Sequence, residues 1–219
     1  MTTANAPEGS VTDRCPAYRV ETERTVVRCW QPDDADILLQ AISQSIDHLR
    51  AWMPWAANEP STLDEKIALL RRWRAEFDLD QDYVYGIFSP DEKEVWGGSG
   101  LHKRIGADAL EIGYWIRADM INKGLATEIS AALTSVAFSV HKVDRVEIHC
   151  DPANVRSASV PRKLGFVQEA LLRRRNVDVT GSPIDSMIWS LFRDRLAMTP
   201  VADAQLTAYD VVGCEIPQP

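Results

Sequence analysis

Cysteine is scarce in this chain of 219 residues, which contains only four. Cys15, Cys29, Cys150 and Cys214 are widely scattered and form no CxxC pair. This spacing argues against a disulfide framework and against a zinc site, so we predict no bound metal. Free, scattered cysteines are typical of the reducing cytoplasm, which is the compartment we expect for the protein.

Long apolar runs are also missing. No stretch of the sequence is long enough to span a membrane as a helix, so a membrane partner is not expected. Residues 1–13 are polar and lack the apolar core of a signal peptide. Both absences favour a protein that acts in aqueous surroundings.

Basic residues are outnumbered, with 24 Lys and Arg against 32 Asp and Glu, for a formal net charge of -8. Nucleic-acid binding relies on basic surface, so we predict no nucleic-acid partner. An acidic surface is compatible with a cationic substrate such as an amine, or it only improves solubility. Hydrophobic residues make up 45% of the chain, which is enough to bury a sizeable core.

Regular periodicity is missing at both ends of the sequence. Residues 1–23 are rich in Thr, Ala, Pro and Glu, and residues 197–219 contain Pro200, Pro217 and Pro219. We therefore predict an N-terminal tail at 1–23, one domain at 24–196 and a C-terminal tail at 197–219.

Strand-like and helix-like patterns are mixed between the two tails. Thr62 and Glu65 have the spacing of a capping box that opens a helix. Asn154 is a natural N-cap for a short helix that Gly165 ends. Strands are predicted at 25–30, 83–89, 95–101, 110–116, 143–148, from 166 onward and at 187–192. The pattern indicates a single α+β domain with a mixed sheet.

The most informative stretch is Asn-Lys-Gly-Leu-Ala-Thr-Glu at 122–128, which follows a strand-like run and opens a helix-like run at 129–140. The first amides of a helix lack internal partners, and the helix dipole places partial positive charge there. Gly124 and Ala126 are small enough to let the backbone approach a phosphate closely. The stretch therefore predicts an anion site, with an ordinary strand-to-helix turn as the alternative.

A second block, Asn-Val-Arg-Ser at 154–157 followed by Arg-Lys-Leu-Gly-Phe at 162–166, strengthens the first. In this order the two blocks resemble the GNAT superfamily of acetyl-CoA-dependent N-acetyltransferases. The motifs at 48–55 and 111–115 are similar to the RimL/RimJ branch, which acetylates the N-termini of ribosomal proteins. The resemblance covers residues 25–195 and implies the GNAT fold, a mixed, mostly antiparallel, splayed sheet flanked by helices.

The resemblance also implies acetyl-CoA as cosubstrate, with its pyrophosphate on the 122–127 loop. Ile121 stands where the family usually has Arg or Gln, which predicts weakened binding; Lys123 either compensates or is simply solvated. The resemblance implies that strand 110–116 separates from a neighbouring strand, and Gly113 or Arg117 would be the residue at which this splay occurs. The alternative is that 110–116 is a plain central strand. The cofactor-binding residues implied are Trp115, Ile116, Arg117, Asn122, Lys123, Gly124, Leu125, Ala126, Thr127, Asn154, Ser157 and Arg162.

Two catalytic residues follow from the same resemblance. Glu111 would orient or deprotonate the amine, unless it is a glutamate on the solvent-facing rim, and His102 is the second candidate base. Ser157 takes the place of the hydroxyl that assists the leaving thiolate. Cys150 is expected to be a small buried thiol. The residues predicted to bind the acceptor are Trp52, Trp55, His102 and Glu111, the tryptophans alternatively packing helices onto the sheet.

The function predicted is transfer of acetyl from acetyl-CoA to a primary amine, by direct attack in a ternary complex. The resemblance favours the N-terminal α-amine of a protein. Acetylation of a small amine such as a polyamine, amino acid or aminoglycoside is the first alternative. A protein that binds acyl-CoA without turnover is the second. A homodimer is compatible with the family.

Overall fold

Ten strands form one open sheet in this protein, whose computed structural model describes residues 16–217. The strands are β1 (Arg19–Glu21), β2 (Val26–Cys29), β3 (Tyr83–Phe88), β4 (Val95–His102), β5 (Ala109–Ile116), β6 (Arg145–Cys150), β7 (Val167–Val177), β8 (Pro183–Phe192), β9 (Thr207–Tyr209) and β10 (Glu215–Ile216). Their order across the sheet is β10-β9-β1-β2-β3-β4-β5-β6-β8-β7. All neighbours are antiparallel except β5 and β6, which run parallel, so the predicted mixed, mostly antiparallel sheet is confirmed.

Five α-helices flank the described sheet: α1 (Ala35–Ser43), α2 (Ile46–Arg50), α3 (Leu63–Asp78), α4 (Leu125–Ser139) and α5 (Val155–Lys163). The predicted capping box opens α3, because the Glu65 amide donates to Thr62 Oγ1 at 3.3 Å and Glu65 Oε2 accepts from the Thr62 amide at 2.7 Å. Asn154 caps α5 through the Ser157 amide at 3.1 Å, as predicted. The local sequence signals therefore begin these two helices where expected.

Alternating side chains of the strands build a core on each face of the sheet. One cluster packs α4 against β3, β5, β6 and β8, and it contains Ile112, Ile129 and Ile148. The other joins α1 and α3 to β2 and the β3–β4 hairpin, with Trp30, Leu70 and Phe88 at its centre. Trp115 packs on the second cluster, while Ile112 and Ile116 belong to the first. Successive β5 residues thus face opposite sides of the sheet.

The sheet splits between its two parallel strands. Pairing of β5 with β6 ends at Ile112 and Ile148. Beyond that point β5 continues along β4 as far as Ile116, whereas β6 continues along β8 to Cys150. Gly113 is therefore the first residue of the split, which is one of the two positions predicted for the splay.

The folded part of the chain extends past the predicted domain of 24–196 at both ends. β1 lies between β2 and β9, so segments from both ends of the sequence meet in the sheet. Val20 and Ala208 have no exposed surface, and Val201 is also buried. These contacts bury segments that the sequence assigned to the tails. Residues 1–15, with Cys15, and residues 218–219 belong to the predicted tails and lie outside the described residues.

No helix within residues 16–217 is long and apolar enough to cross a membrane. The same part of the chain contains no group of three or more His, Cys, Asp or Glu side chains arranged to hold a metal ion. Cys29 and Cys150 are buried free thiols, and Cys214 is an exposed one.

Candidate functional site

A cleft of about 270 Å³ lies where the split strand β5 meets the first turn of α4 and the first turns of α5. The segment after α2 closes its other side with His48, Trp52 and Met53. Ten of the residues predicted for the site line this cleft: Trp52, Trp115, Ile116, Asn122, Gly124, Leu125, Ala126, Thr127, Asn154 and Ser157. Two blocks that are separate in sequence, at 122–127 and 154–157, thus share one cavity.

The first turn of α4 presents backbone amides to the cleft. Gly124 has a left-handed φ of 82°, and the helix begins at the next residue. Among the described residues no side chain caps this helix start. The amides of Leu125, Ala126 and Thr127 are first-turn groups without partners inside the helix. Together with the helix dipole they form a site suited to an anion.

Arg24 contacts this loop although it lies far from it in the sequence. Its guanidinium donates to the Lys123 carbonyl at 2.8 Å and forms an ion pair with Glu128 in the first turn of α4. Thr22 also donates to Glu128, at 2.6 Å, so the Glu128 carboxylate is compensated close to the anion site. Sequence reasoning missed Arg24, because nothing local marks a contact across about a hundred residues.

Three residues predicted to bind the cofactor do not line the cleft, namely Arg117, Lys123 and Arg162. Arg117 is paired with Glu94 at 2.9 Å and with Asp119 at 2.7 Å, and it does not line the cleft. The Lys123 ammonium contacts the Met120 sulfur, and Arg162 lies over the Trp189 ring. Two cationic side chains, Arg156 and Lys163, line the cleft together with the His48 imidazole, whose pKa is lowered by burial and by the charge of Arg156. Ile121 also lines it.

Two hydroxyls meet inside the cleft. The Tyr114 and Ser157 hydroxyl oxygens are 3.1 Å apart, and the Tyr114 hydroxyl also donates to the Ser157 carbonyl at 3.1 Å. Burial raises the pKa of Tyr114 well above its usual range, so the phenol stays protonated and can donate. Burial also raises the pKa of the Cys150 thiol. The Tyr114 phenol and the Cys150 thiol are therefore neutral donors rather than anions.

Glu111 lies on β5 just before the split and is not among the residues that line the cleft. Arg104 binds both of its carboxylate oxygens, at 2.8 and 2.6 Å. Burial by itself raises the pKa of Glu111, but the hydrogen bonds and charge of Arg104 outweigh it and lower the pKa below its usual value. This pairing stabilises the fold above the ordinary carboxyl pKa and is lost as the pH falls through the lowered value.

The residues predicted for the acceptor lie on the same face of β4 and β5 as Glu111. His102 is directly opposite Glu111 in the register, and its ring is hydrogen-bonded to Asp82. Trp55 packs edge-on against Trp115, with ring centroids 6.1 Å apart. Trp52 and Trp55 keep 36% and 38% of their surface exposed, so they form an open aromatic wall rather than a buried plug.

Residues 24–167 match the family model described as "Acetyltransferase (GNAT) domain". The chain is 28% identical to YdaF of Bacillus subtilis (strain 168) over 173 residues, which cover 78% of this chain and 92% of YdaF. It is 26% identical to the [ribosomal protein uS5]-alanine N-acetyltransferase of Escherichia coli (strain K12) over 163 residues, which cover 70% of this chain and 80% of that protein.

Solved structures share the fold. RimJ of Mycobacterium smegmatis, in complex with CoA-disulfide, superposes with a TM-score of 0.70 at 22% identity, covering 81% of this chain and 86% of RimJ. At this identity the likeness concerns the fold alone. The predicted resemblance to the RimL/RimJ type is thus confirmed by sequence relatives and by architecture.

Proposed function

The chain belongs to the GNAT family of acetyltransferases, and we propose that it acetylates the N-terminal α-amine of a protein. It is an acetyl-CoA-dependent N-acetyltransferase, with acetyl-CoA as cosubstrate. The relative that acts on alanine of ribosomal protein uS5 supports a protein N-terminus, and a ribosomal protein in particular, as the acceptor. Such an enzyme would work in the cytoplasm, where ribosomal proteins are made.

The observation that carries this proposal is the split sheet beside an uncapped helix start. The first-turn amides at 125–127 and the left-handed Gly124 fit a pyrophosphate. Residues 113–116 leave β6, so their free backbone edge fits an amide chain that adds to it like a strand. When bound, acetyl-CoA supplies an activated acyl thioester.

The contacts of Asn154, Ser157 and Glu111 support a role for each of them. Asn154 holds the first turn of α5, which places Ser157 against Tyr114. Their paired hydroxyls would donate a hydrogen bond to the departing thiolate, and the second hydroxyl keeps the first correctly oriented. Glu111, fixed by Arg104 as a carboxylate, would orient the acceptor ammonium rather than exchange protons with it.

An open aromatic wall favours a peptide over a small amine. Trp52 borders the cleft and Trp55 packs against Trp115, yet more than a third of the surface of each residue remains exposed to solvent. A closed, narrow pocket would be expected for a polyamine or an amino acid. A peptide needs a groove that its chain can leave, and the exposed surface of Trp52 and Trp55 supports this acceptor class.

The proposal is tested by acetylation assays with acetyl-CoA and two acceptor classes. One set contains peptides with free Ala or Ser N-termini, with N-terminally blocked peptides carrying an internal lysine as controls; the other contains polyamines, amino acids and aminoglycosides. Mass spectrometry locates the acetyl group. Acetylation confined to free N-termini supports the proposal. Faster turnover of a small amine overturns the acceptor class, and tight acetyl-CoA binding without any acetylation favours the non-catalytic alternative.

Ser157→Ala is expected to lower kcat by about 10-fold, at the weak end of general-acid effects, because Tyr114 remains as a second donor. The Kd for acetyl-CoA should change little. Ser159→Ala is the matched control, since Ser159 also lines the cleft but donates to the Arg156 carbonyl at 2.7 Å. Steady-state kinetics and calorimetry measure both values. Equal kcat in the Ser157 and Ser159 variants would remove Ser157 from the reaction.

A further inference from the structure

His102 has the geometry of an imidazole prepared to accept a proton. Its Nδ1 lies 2.7 Å from Asp82 Oδ2, which places the proton on Nδ1 and leaves the lone pair on Nε2. Within residues 16–217, no side chain or backbone group is hydrogen-bonded to Nε2. Asp82 also accepts from the Lys103 amide at 3.3 Å, so the carboxylate is held in place.

Two glycines make room for this ring and set the direction in which it points. A Cβ at Gly100 would lie 2.5 Å from His102 Nε2, so only glycine permits the ring to lie there. A Cβ at Gly113 would lie 3.4 Å from the same nitrogen. Gly100 and Gly113 are register partners, and Gly113 is the first residue of the split. The free nitrogen thus lies over the point where the sheet opens.

A second ring lies beside the same opening. Trp115 packs over Gly98, where a Cβ would meet its Nε1 at 2.5 Å. The pairs Gly98–Trp115, Gly100–Gly113 and His102–Glu111 follow one another on one face of the sheet. Trp115 also lines the cleft. His102 does not itself line the cleft, but an acceptor that extends past Trp115 toward Gly113 would approach its Nε2.

Glu111 is the other candidate on this face, but its oxygens are occupied. Arg104 binds both of them, whereas His102 Nε2 has no such partner among the described residues. A base must offer a free lone pair within hydrogen-bond reach of the proton it removes. Resting on the proposed function, we propose that His102 accepts the proton of the acceptor ammonium, with Asp82 holding its tautomer and Glu111 as a positioning residue.

Charged groups of both signs surround the imidazole. Asp82 is hydrogen-bonded to it and Glu111 is its register partner, while Lys103 and Arg104 follow it along the chain and Arg104 is paired with Glu111. On the neighbouring strand β6, His149 lies 3.7 Å from Glu111 and 2.6 Å from Glu147.

The proton balance is simple. One proton passes from the acceptor ammonium to His102 Nε2, and the Asp82 carboxylate stabilises the resulting imidazolium. The neutral amine then forms the new C–N bond while the C–S bond breaks. The nitrogen loses one further proton and the thiolate gains one, through the Ser157 and Tyr114 hydroxyls. The net products are the acetylated amine, the CoA thiol and a single proton, which His102 releases to solvent.

The test compares pH–rate profiles of His102→Gln, Asp82→Asn and the wild type, with an N-terminal peptide as acceptor. His102→Gln should lower kcat/KM by about 100-fold at pH 7, the low end of what a positioned base contributes. The loss should shrink as the pH rises past the α-amine pKa of about 8, where the acceptor loses its proton unaided. Acetyl-CoA affinity by calorimetry should stay unchanged.

Asp82→Asn removes a negative charge from beside the imidazolium, so the acidic limb of its profile should move to lower pH while the plateau falls. Asp80→Asn is the matched control, because Asp80 accepts from Tyr83 and does not touch His102. An unchanged acidic limb in both His102 and Asp82 variants overturns the proposal, as does its loss in Glu111→Gln or His149→Gln alone. A wild type that acetylates no amine would instead overturn the proposed function.

Discussion

Gly124→Val is expected to raise the Kd for acetyl-CoA by about 1000-fold. Gly124 has a φ of 82°, a conformation that a β-branched residue adopts only at a cost of about 1–3 kcal/mol. Relief of that strain turns the first-turn amides of α4 away from the cleft. Losing two charge-assisted hydrogen bonds costs about 4 kcal/mol, and each 1.4 kcal/mol is about tenfold in affinity.

Gly181→Val provides the control for backbone strain alone. Gly181 also has a φ of 82°, its neighbourhood is open, and it lies in the turn between β7 and β8. Both variants should lose similar stability in thermal unfolding, but only the Gly124 variant should lose affinity in calorimetric titration. If both bind acetyl-CoA like the wild type, the helix start of α4 is not the pyrophosphate site.

Lys66→Met is expected to lower the free energy of unfolding by about 3–5 kcal/mol, the cost of leaving a buried charge without its partner. Lys66 and Glu59 form an ion pair whose side chains are only 5% and 6% exposed. Glu59 also accepts from the Ser61 amide at 2.9 Å, and its carbonyl accepts from Arg50. The pair connects α3 to the segment that contains Trp52 and Trp55. The positions of these two side chains should therefore become less ordered as well.

Urea unfolding measures this loss, and two variants isolate its cause. Glu59→Gln/Lys66→Met removes both charges while keeping an acceptor for Ser61, so it should regain more than half of the stability. Arg72→Met breaks an exposed pair on the same helix, where the arginine side chain is 65% exposed, and should cost less than about 1 kcal/mol. A double variant no more stable than Lys66→Met would show that packing, not charge, accounts for the loss.

The local features of the site were predictable because each depends on neighbours in sequence. A glycine before a helix, an asparagine three residues before a serine, and a capping box act over a single turn of helix. The structure places all three where the sequence predicted them. The order of the two blocks was enough to predict the family, which the match over residues 24–167 confirms.

The contacts that set the chemistry were not predictable in the same way. Glu111 alone resembles a base, but its state depends on Arg104 across the β4–β5 turn. His102 meets Asp82, which precedes a different strand, and its ring fits only because Gly100 and Gly113 pair beneath it. The role of each group depends on partners that the register of the sheet brings together.

By itself, then, the sequence determined the fold class, the capped starts of α3 and α5 and the glycine turn before α4, since these arise from short-range hydrogen bonding and periodicity. Only the tertiary structure decided where the sheet ends and how each candidate base is paired. β1 and β9 are three residues long and join segments about 190 residues apart, so neither has a local signal. Burial and charge pairing act through space, and only the folded chain defines which groups are close.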